Sequence, residues 1–301
     1  MKLLILSLFV SIINYEVNFM KNLASPSVIK ELLKENGFHF SKSLGQNFLT
    51  DENVLSQIVD ASDSDERGVL EVGPGFGSLT QRLCQRAKKV VSVEIDSAAI
   101  PVLTENLKEF DNFTLIHSDI MKEDIKELCQ REFGDEKIKV CANLPYYITS
   151  PVILKLLDRS LPIEDITIMI QKEVAQRINA KAGSKDYGVL TLTVGYYATS
   201  DIVCIVPPSA FMPPPKVSSA VIKLTLRETP PVSVKSEEIY FAVIKAAFAL
   251  RRKTLLNALS SANLGKSKDE IENILNNAGI DPKRRGETLT DIEFALIANQ
   301  F

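Results

Sequence analysis

The chain has 301 residues, enough for one large α/β domain with a smaller appendage and a well-buried core. Its 35 basic and 38 acidic residues leave a formal charge of −3, so no global field draws polyanions and any nucleic-acid surface has to be a local patch. Four widely spaced cysteines without a C-x-x-C, and only two histidines, exclude the usual zinc spacings and suit a reducing compartment; no metal is expected.

Leu3 to Ile13 is almost wholly apolar and follows Lys2, imitating a signal-peptide core. It is too short to span a bilayer, no small-x-small cleavage site follows it, and it lacks the arginines of an import peptide. Residues 1–19 are therefore read as an upstream extension, and the protein as cytoplasmic with no membrane partner. Val69–Val72, Val90–Val93, Phe113–Ile116, Ile138–Cys141 and Ile166–Ile170 are short runs of β-formers, most of them separated by amphipathic segments of helix length. That alternation predicts α/β architecture, a parallel sheet with helices on both faces. Leu190–Tyr197 and Val217–Leu226 read as two further strands. The proline-rich stretch from Pro207 to Pro215 joins them and is stiff enough to hold Phe211 in place. Glu228-Thr229-Pro230-Pro231 breaks the pattern, and helices are predicted over Glu237–Ala262, Lys268–Asn277 and Asp291–Ala298. A boundary near residue 230 divides a sheet domain, 20–230, from a small all-α domain, 231–301.

Within the sheet domain, Val69 to Thr80 reads as strand, glycine turn and helix start. Gly73, Gly75 and Gly77 let the backbone turn tightly and approach a ligand closely. The spacing is G-x-G-x-G, where a dinucleotide site wants G-x-G-x-x-G, and Glu71 stands two residues before the first glycine. A ligand without a pyrophosphate, such as S-adenosylmethionine, suits this loop; a purely structural turn would use the same glycines. The next strand ends Val93-Glu94-Ile95-Asp96, placing Glu94 where an acid bonds ribose hydroxyls in nucleotide folds. The third ends His117-Ser118-Asp119-Ile120-Met121, where Asp119 can accept from an adenine amine. The fourth runs into Asn143-Leu144-Pro145-Tyr146, a rigid mouth whose amide and carbonyls can accept from a flat amine while the ring lies on its face. Alone, that tetrapeptide also fits a plain strand-to-loop turn.

Taken in order, the motifs closely resemble the rRNA adenine N6-dimethyltransferases, from about residue 25 to the C-terminus. They are Ser43 to Leu49, Glu71 to Gly77, Val93 to Asp96, Asn143 to Tyr146, Gln171-Lys172-Glu173-Val174, Gly183 to Gly188, Phe211 to Val217, and Arg251-Arg252-Lys253-Thr254-Leu255. The resemblance implies a Rossmann-like class I methyltransferase using S-adenosyl-L-methionine. It places Asn47 and Leu49 at the methionine end and Gly73 and Gly75 along the cofactor. Glu94 with Ile95 falls at the ribose, Asp119 with Ile120 at the adenine, and Asn143 between cofactor and target. It also implies the substrate: two adjacent adenosines in the 3′-terminal hairpin loop of 16S rRNA, dimethylated in the 30S particle during subunit biogenesis. A monomer is expected.

The chemistry follows from the residue types. The Asn143 side-chain oxygen and the Leu144 carbonyl can accept from N6 and aim its lone pair at the methyl donor. Tyr146 and Phe211 can sandwich the base and favour the charge that develops on nitrogen. A loop adenosine leaves its stack at modest cost. Lys185, Lys216, Arg251, Arg252 and Lys253 are expected to grip phosphates, with Lys181, Lys42 and Lys283-Arg284-Arg285 adding to the surface. The macrolide-resistance methyltransferases of large-subunit rRNA share the catalytic motifs and are the nearest rival. A nicotinamide dehydrogenase fits the sheet but not the glycine spacing, and a non-catalytic assembly or nucleic-acid-binding factor has no need of an intact Asn143 to Tyr146.

Overall fold

The computed structural model describes residues 21–35 and 47–301. Residues 1–19, Lys42 and the Ser43 to Gln46 part of the first motif lie outside them.

The first described helix, α1 (Pro26–Glu35), leads to a two-residue strand, β1 (Phe48–Leu49), and to α2 (Glu52–Ala61), capped by Asp51 through the amides of Asn53 and Val54. Five parallel strands follow with their helices: β2 (Gly68–Val72), α3 (Ser78–Cys84), β3 (Lys89–Glu94), α4 (Ala99–Asn106), β4 (Phe113–His117), α5 (Ile125–Phe133), β5 (Ile138–Asn143), α6 (Thr149–Leu156) and β6 (Ile163–Gln171). Beyond α7 (Lys172–Ile178) and α8 (Val189–Tyr197) come β7 (Ala198–Val206), β8 (Phe211–Met212) and β9 (Ser219–Leu226). The main sheet runs β4-β3-β2-β5-β6-β9-β7, with β9 antiparallel to both its neighbours. The chain builds outward from β2 through β3 and β4, then returns to its other side with β5. The C-terminal edge of β2 and β5 is thus a switch point, the usual crevice for a ligand in such sheets.

Alternate residues of each strand serve opposite faces. Leu70, Val91, Val140 and Ile168 pack against α5, α6 and α7, whereas Val69, Val90, Cys141 and Met169 pack against α2 and α3. Over the crevice, β1 and β8 pair antiparallel, Phe48 with Met212 and Leu49 with Phe211. The Thr50 amide extends this ladder to the Ala210 carbonyl at 2.8 Å.

Two expectations are corrected. Residues 190–197 form helix α8, not a strand, and the strand lies in the next segment, Ala198–Val206. The β-branched Thr191, Thr193 and Val194 mimic a strand, but tertiary context overrides propensity. The Thr191 hydroxyl donates to the Arg177 carbonyl and accepts from the Gly188 amide, starting a helix wedged between two cores. The stretch 237–262 is two helices, α9 (Glu237–Ala249) and α10 (Leu255–Ser260), because Thr254 caps a new start through the Asn257 amide. Arg251, Arg252 and Lys253 therefore occupy the turn between them.

The last helices, α11 (Lys268–Asn277) and α12 (Asp291–Ala298), start on capping boxes, Ser267 with Glu270 and Thr290 with Glu293. With α9 and α10 they enclose a second core around Tyr240, Ile244, Leu255 and Phe294, which Tyr187, Leu192 and Tyr196 also enter. Arg159, just beyond α6, lies 4.9 Å from the ring centroids of both Tyr196 and Tyr197. Its guanidinium donates to Glu237 of α9 at 3.0 Å, and both tyrosine hydroxyls donate to the same carboxylate. No helix among the described residues is long and apolar enough to cross a membrane.

Candidate active site

A cavity of about 240 Å³ opens at the switch point, and the sequence-predicted cofactor and base residues converge on it. Asn47, Leu49, Gly73, Gly75, Glu94, Ile95, Asp119, Ile120, Asn143, Leu144, Tyr146 and Phe211 all line its walls. They come from separate places in the chain, and the fold alone brings them together.

The glycine loop leaves β2 with positive φ at Gly73 (70°), Gly75 (60°) and Gly77 (93°), a region that side chains disfavour. At Gly75 a Cβ would also come within 3.0 Å of the Phe48 ring. Phe48 stacks on Phe76 with centroids 4.2 Å apart, pinning the β1 segment to the loop. The Gly75 amide donates to Glu94 Oε2 at 3.2 Å, and the Asp96 amide donates to Oε1 at 2.8 Å. Glu94 is 6% exposed. Burial pushes its carboxyl upward, and the amides of Asp96 and Gly75 oppose that push. The carboxylate thus braces the loop while its remaining lone pairs face the cavity.

Asp119 accepts the Met121 amide at 2.9 Å, which fixes its side chain at the end of β4. Asn143 is held by a contact that sequence reading did not foresee. Its Nδ2 donates to the Asn47 backbone carbonyl at 3.2 Å. A carbonyl can only accept, so this bond orients the amide and leaves Oδ1 as the outward acceptor. The Leu144 amide is bonded to the Met169 carbonyl at 3.2 Å, carrying the β5–β6 ladder one residue into the mouth. The Tyr146 hydroxyl shares a 2.9 Å hydrogen bond with Ser219 Oγ, so the ring is anchored at its far end. Phe211 is 5% exposed, and its β8 pairing with Leu49 holds it as part of the roof.

Sequence reading missed Glu71 as a member of the site. It lines the cavity from β2, is 1% exposed, and accepts from Ser92 Oγ at 2.6 Å. Burial pushes its carboxyl up to about 7, against the pull of that hydrogen bond. A carboxylate inside an otherwise apolar strand was the available signal. Tyr147, 56% exposed at the cavity rim, was missed too, since exposure cannot be read from a tyrosine pair.

The expected phosphate-gripping residues divide into two groups. Lys185, Lys216, Arg252 and Lys253 are exposed, and among the described residues none of their side chains has an ion-pair partner. Arg251 instead donates to the Lys185 carbonyl at 2.8 Å and faces Glu287 at 3.6 Å, so it holds the 185–187 turn in place. Arg284 is likewise engaged, with Glu293 and the Thr288 carbonyl. The bond from Arg251 brings the Lys185 turn against the Arg252-Lys253 turn, gathering those three cations on one side.

No group of histidine, cysteine and acidic residues arranged to hold a metal occurs among the described residues. The residues present do fit a cationic nucleoside. Three carboxyl groups, Glu71, Glu94 and Asp119, face one apolar-walled cavity whose loop carries no Cβ at Gly73 or Gly75.

Comparison with known proteins agrees with this geometry. The family model for ribosomal RNA adenine dimethylase matches residues 37–296. A curated relative from Anoxybacillus flavithermus, ribosomal RNA small subunit methyltransferase A, is 51% identical over 93% of this chain and 96% of its own length. Among solved structures, a dimethyladenosine transferase from Plasmodium falciparum superposes with a TM-score of 0.70 at 28% identity, covering 83% of this chain and 95% of that one. The 23S rRNA methyltransferase ErmE gives 0.63 at 25% identity, covering 84% and 99%. With a sheet, a cavity and a match that runs through both, the chain belongs to the ribosomal RNA adenine dimethylase family.

Proposed function

We propose that the protein transfers methyl groups from S-adenosyl-L-methionine to N6 of two adjacent adenosines in the 3′-terminal hairpin loop of 16S rRNA, acting on the 30S particle as a monomer. The observation that carries this reading is the oriented Asn143 amide, with its acceptor oxygen at the mouth between the glycine loop and the anchored Tyr146 ring. The names of the curated relatives support the small-subunit address.

The cofactor would lie along Gly73 and Gly75, with its ribose at Glu94 and its adenine at Asp119, and it supplies an activated methyl group. Asn143 Oδ1 and the Leu144 carbonyl accept the two N6 hydrogens. That draws the amine out of conjugation and directs its lone pair. Tyr146 stacks on one face of the base, and Phe211 closes the other side. Positioning supplies most of the rate gain, because the methyl donor is intrinsically reactive: as the N–CH3 bond forms the S–CH3 bond would break to leave a neutral thioether, and the now cationic nitrogen loses one of its N–H protons. Lys185, Arg252 and Lys253 hold the RNA backbone and set its register without reading bases.

The test is to incubate the protein with S-adenosylmethionine and, in parallel, unmethylated small and large subunits, then to map modified nucleotides in each by mass spectrometry. Dimethyladenosine at two neighbouring positions near the 3′ end is the expected result. Modification confined to large-subunit rRNA would move the protein to the macrolide-resistance branch. No modified adenosine in either would leave an assembly-factor role without chemistry.

A further inference from the structure

A second cavity, of about 250 Å³, is lined by Gln171, Lys172, Glu173, Val217 and Ser218. It opens at the same edge of the sheet as the first. Gln171 ends β6, the strand beside β5, and pairs with Ser219. Ser219 links the two places, because it touches a residue of each. Its Oγ anchors the Tyr146 hydroxyl on one side at 2.9 Å, while the preceding residues Ser218 and Val217 line the other. The Lys172 amide bonds the Ser218 carbonyl at 3.0 Å and closes the back. Among the described residues the side chains of Gln171, Lys172 and Glu173 make no hydrogen bond or ion pair, and Val217 is 39% exposed.

We infer that this cavity receives the nucleobase adjoining the adenosine held in the first cavity. The inference rests on reading the protein as an adenine methyltransferase acting on RNA. In a single-stranded loop the bases are already free to splay apart, and the base next to the target stays tethered within one nucleotide of the mouth, where it needs a place. Adjacent strands stand ~4.8 Å apart, so a pocket one strand over is within reach of the next base. The lining matches a base. Val217 offers an apolar surface to its face, and the Gln171 amide presents a donor and an acceptor side by side, the pairing a glutamine makes with a purine edge. Lys216, exposed beside Val217, is placed for the linking phosphate. The device separates the two bases without a reading element in the catalytic pocket itself.

The test uses the full chain, saturating S-adenosylmethionine and unmethylated small subunits. Gln171→Ala is expected to lower kcat/KM ~10-fold through KM, with cofactor affinity and melting temperature unchanged. Val217→Trp, which fills the cavity from its exposed side, should give a similar fall. Replacing the neighbouring rRNA nucleotide by a pyrimidine, on each side of the target in turn, should cost the native enzyme the same factor on one side only. That replacement should cost Gln171→Ala nothing further. Multiplying losses, or wild-type efficiency in both variants, would overturn the subsite while leaving the methyltransferase reading intact. Absence of any methylated adenosine with the native enzyme would instead defeat that reading, and the subsite with it.

Discussion

Replacing Glu71 by glutamine isolates a carboxyl that the fold holds in its neutral form up to near neutrality. In the unfolded chain the group titrates at its ordinary 4.5, and in the folded protein burial carries it to about 7. Below pH 4.5 both states are neutral and the site imposes no cost. Above that the unfolded chain ionises first, so stability falls with rising pH until the folded group has also titrated. At ~1.4 kcal/mol per pH unit, the whole interval amounts to about 3 kcal/mol, of which ~2.5 kcal/mol develops between pH 5 and 8. The glutamine variant would keep the Ser92 hydrogen bond and carry no titration. The difference in melting temperature between Glu71→Gln and the native protein should therefore widen in the variant's favour by ~5 °C from pH 5 to pH 8. Matched calorimetric scans at both pH values read this directly, and the subtraction removes the upward shift of Glu94, which both proteins carry. A difference that stays constant with pH would refute the buried, neutral Glu71. A cationic ligand beside this carboxyl should also expel its proton. Native protein should thus release about half a proton more than Glu71→Gln on binding S-adenosylmethionine near pH 7.

Three further outcomes are expected. Asn143→Ala should retain cofactor affinity in calorimetry and lose methylation of small subunits by at least ~100-fold, since it removes an acceptor that matters most in the transition state. Glu94→Gln should weaken S-adenosylhomocysteine binding ~10–100-fold, the value of a hydrogen bond to a charged group, and loosen the glycine loop that its carboxylate braces. Gly286→Ala should lower stability by ~1–3 kcal/mol in thermal unfolding, because its Cβ would stand 2.8 Å from the Ala247 carbonyl oxygen on α9.

The parallel sheet and its ligand edge were legible because they rest on local patterns: buried runs, a glycine turn, and acids at strand ends. Those patterns alone pointed to Gly73, Glu94, Asp119 and Asn143, which the fold gathers around one cavity. Long-range contacts were not legible. Nothing near Asn143 in sequence announces that its amide is oriented by the carbonyl of Asn47. The Ser219 anchor of Tyr146 is likewise a meeting of distant segments. Propensity failed at 190–197, where a β-branched run became helix under packing from two cores. Charge alone also could not show that the guanidinium groups of Arg251 and Arg284 bond internal carbonyls and carboxylates.

The miniature ladder of β1 and β8 sets an order on biosynthesis. Thr50 and Ala210, which it joins, are 160 residues apart. At ordinary translation rates ~10–30 s separate their appearance from the ribosome. Throughout that interval the β2–β5 sheet can assemble, but the roof over its ligand edge does not exist. Ligand-linked stabilisation acts only on a state that binds. The residues proposed to hold the cofactor, Asn47 to Asn143, precede the roof in the chain, whereas the side of the pocket that Phe211 closes over the target base is completed only once synthesis has passed that residue.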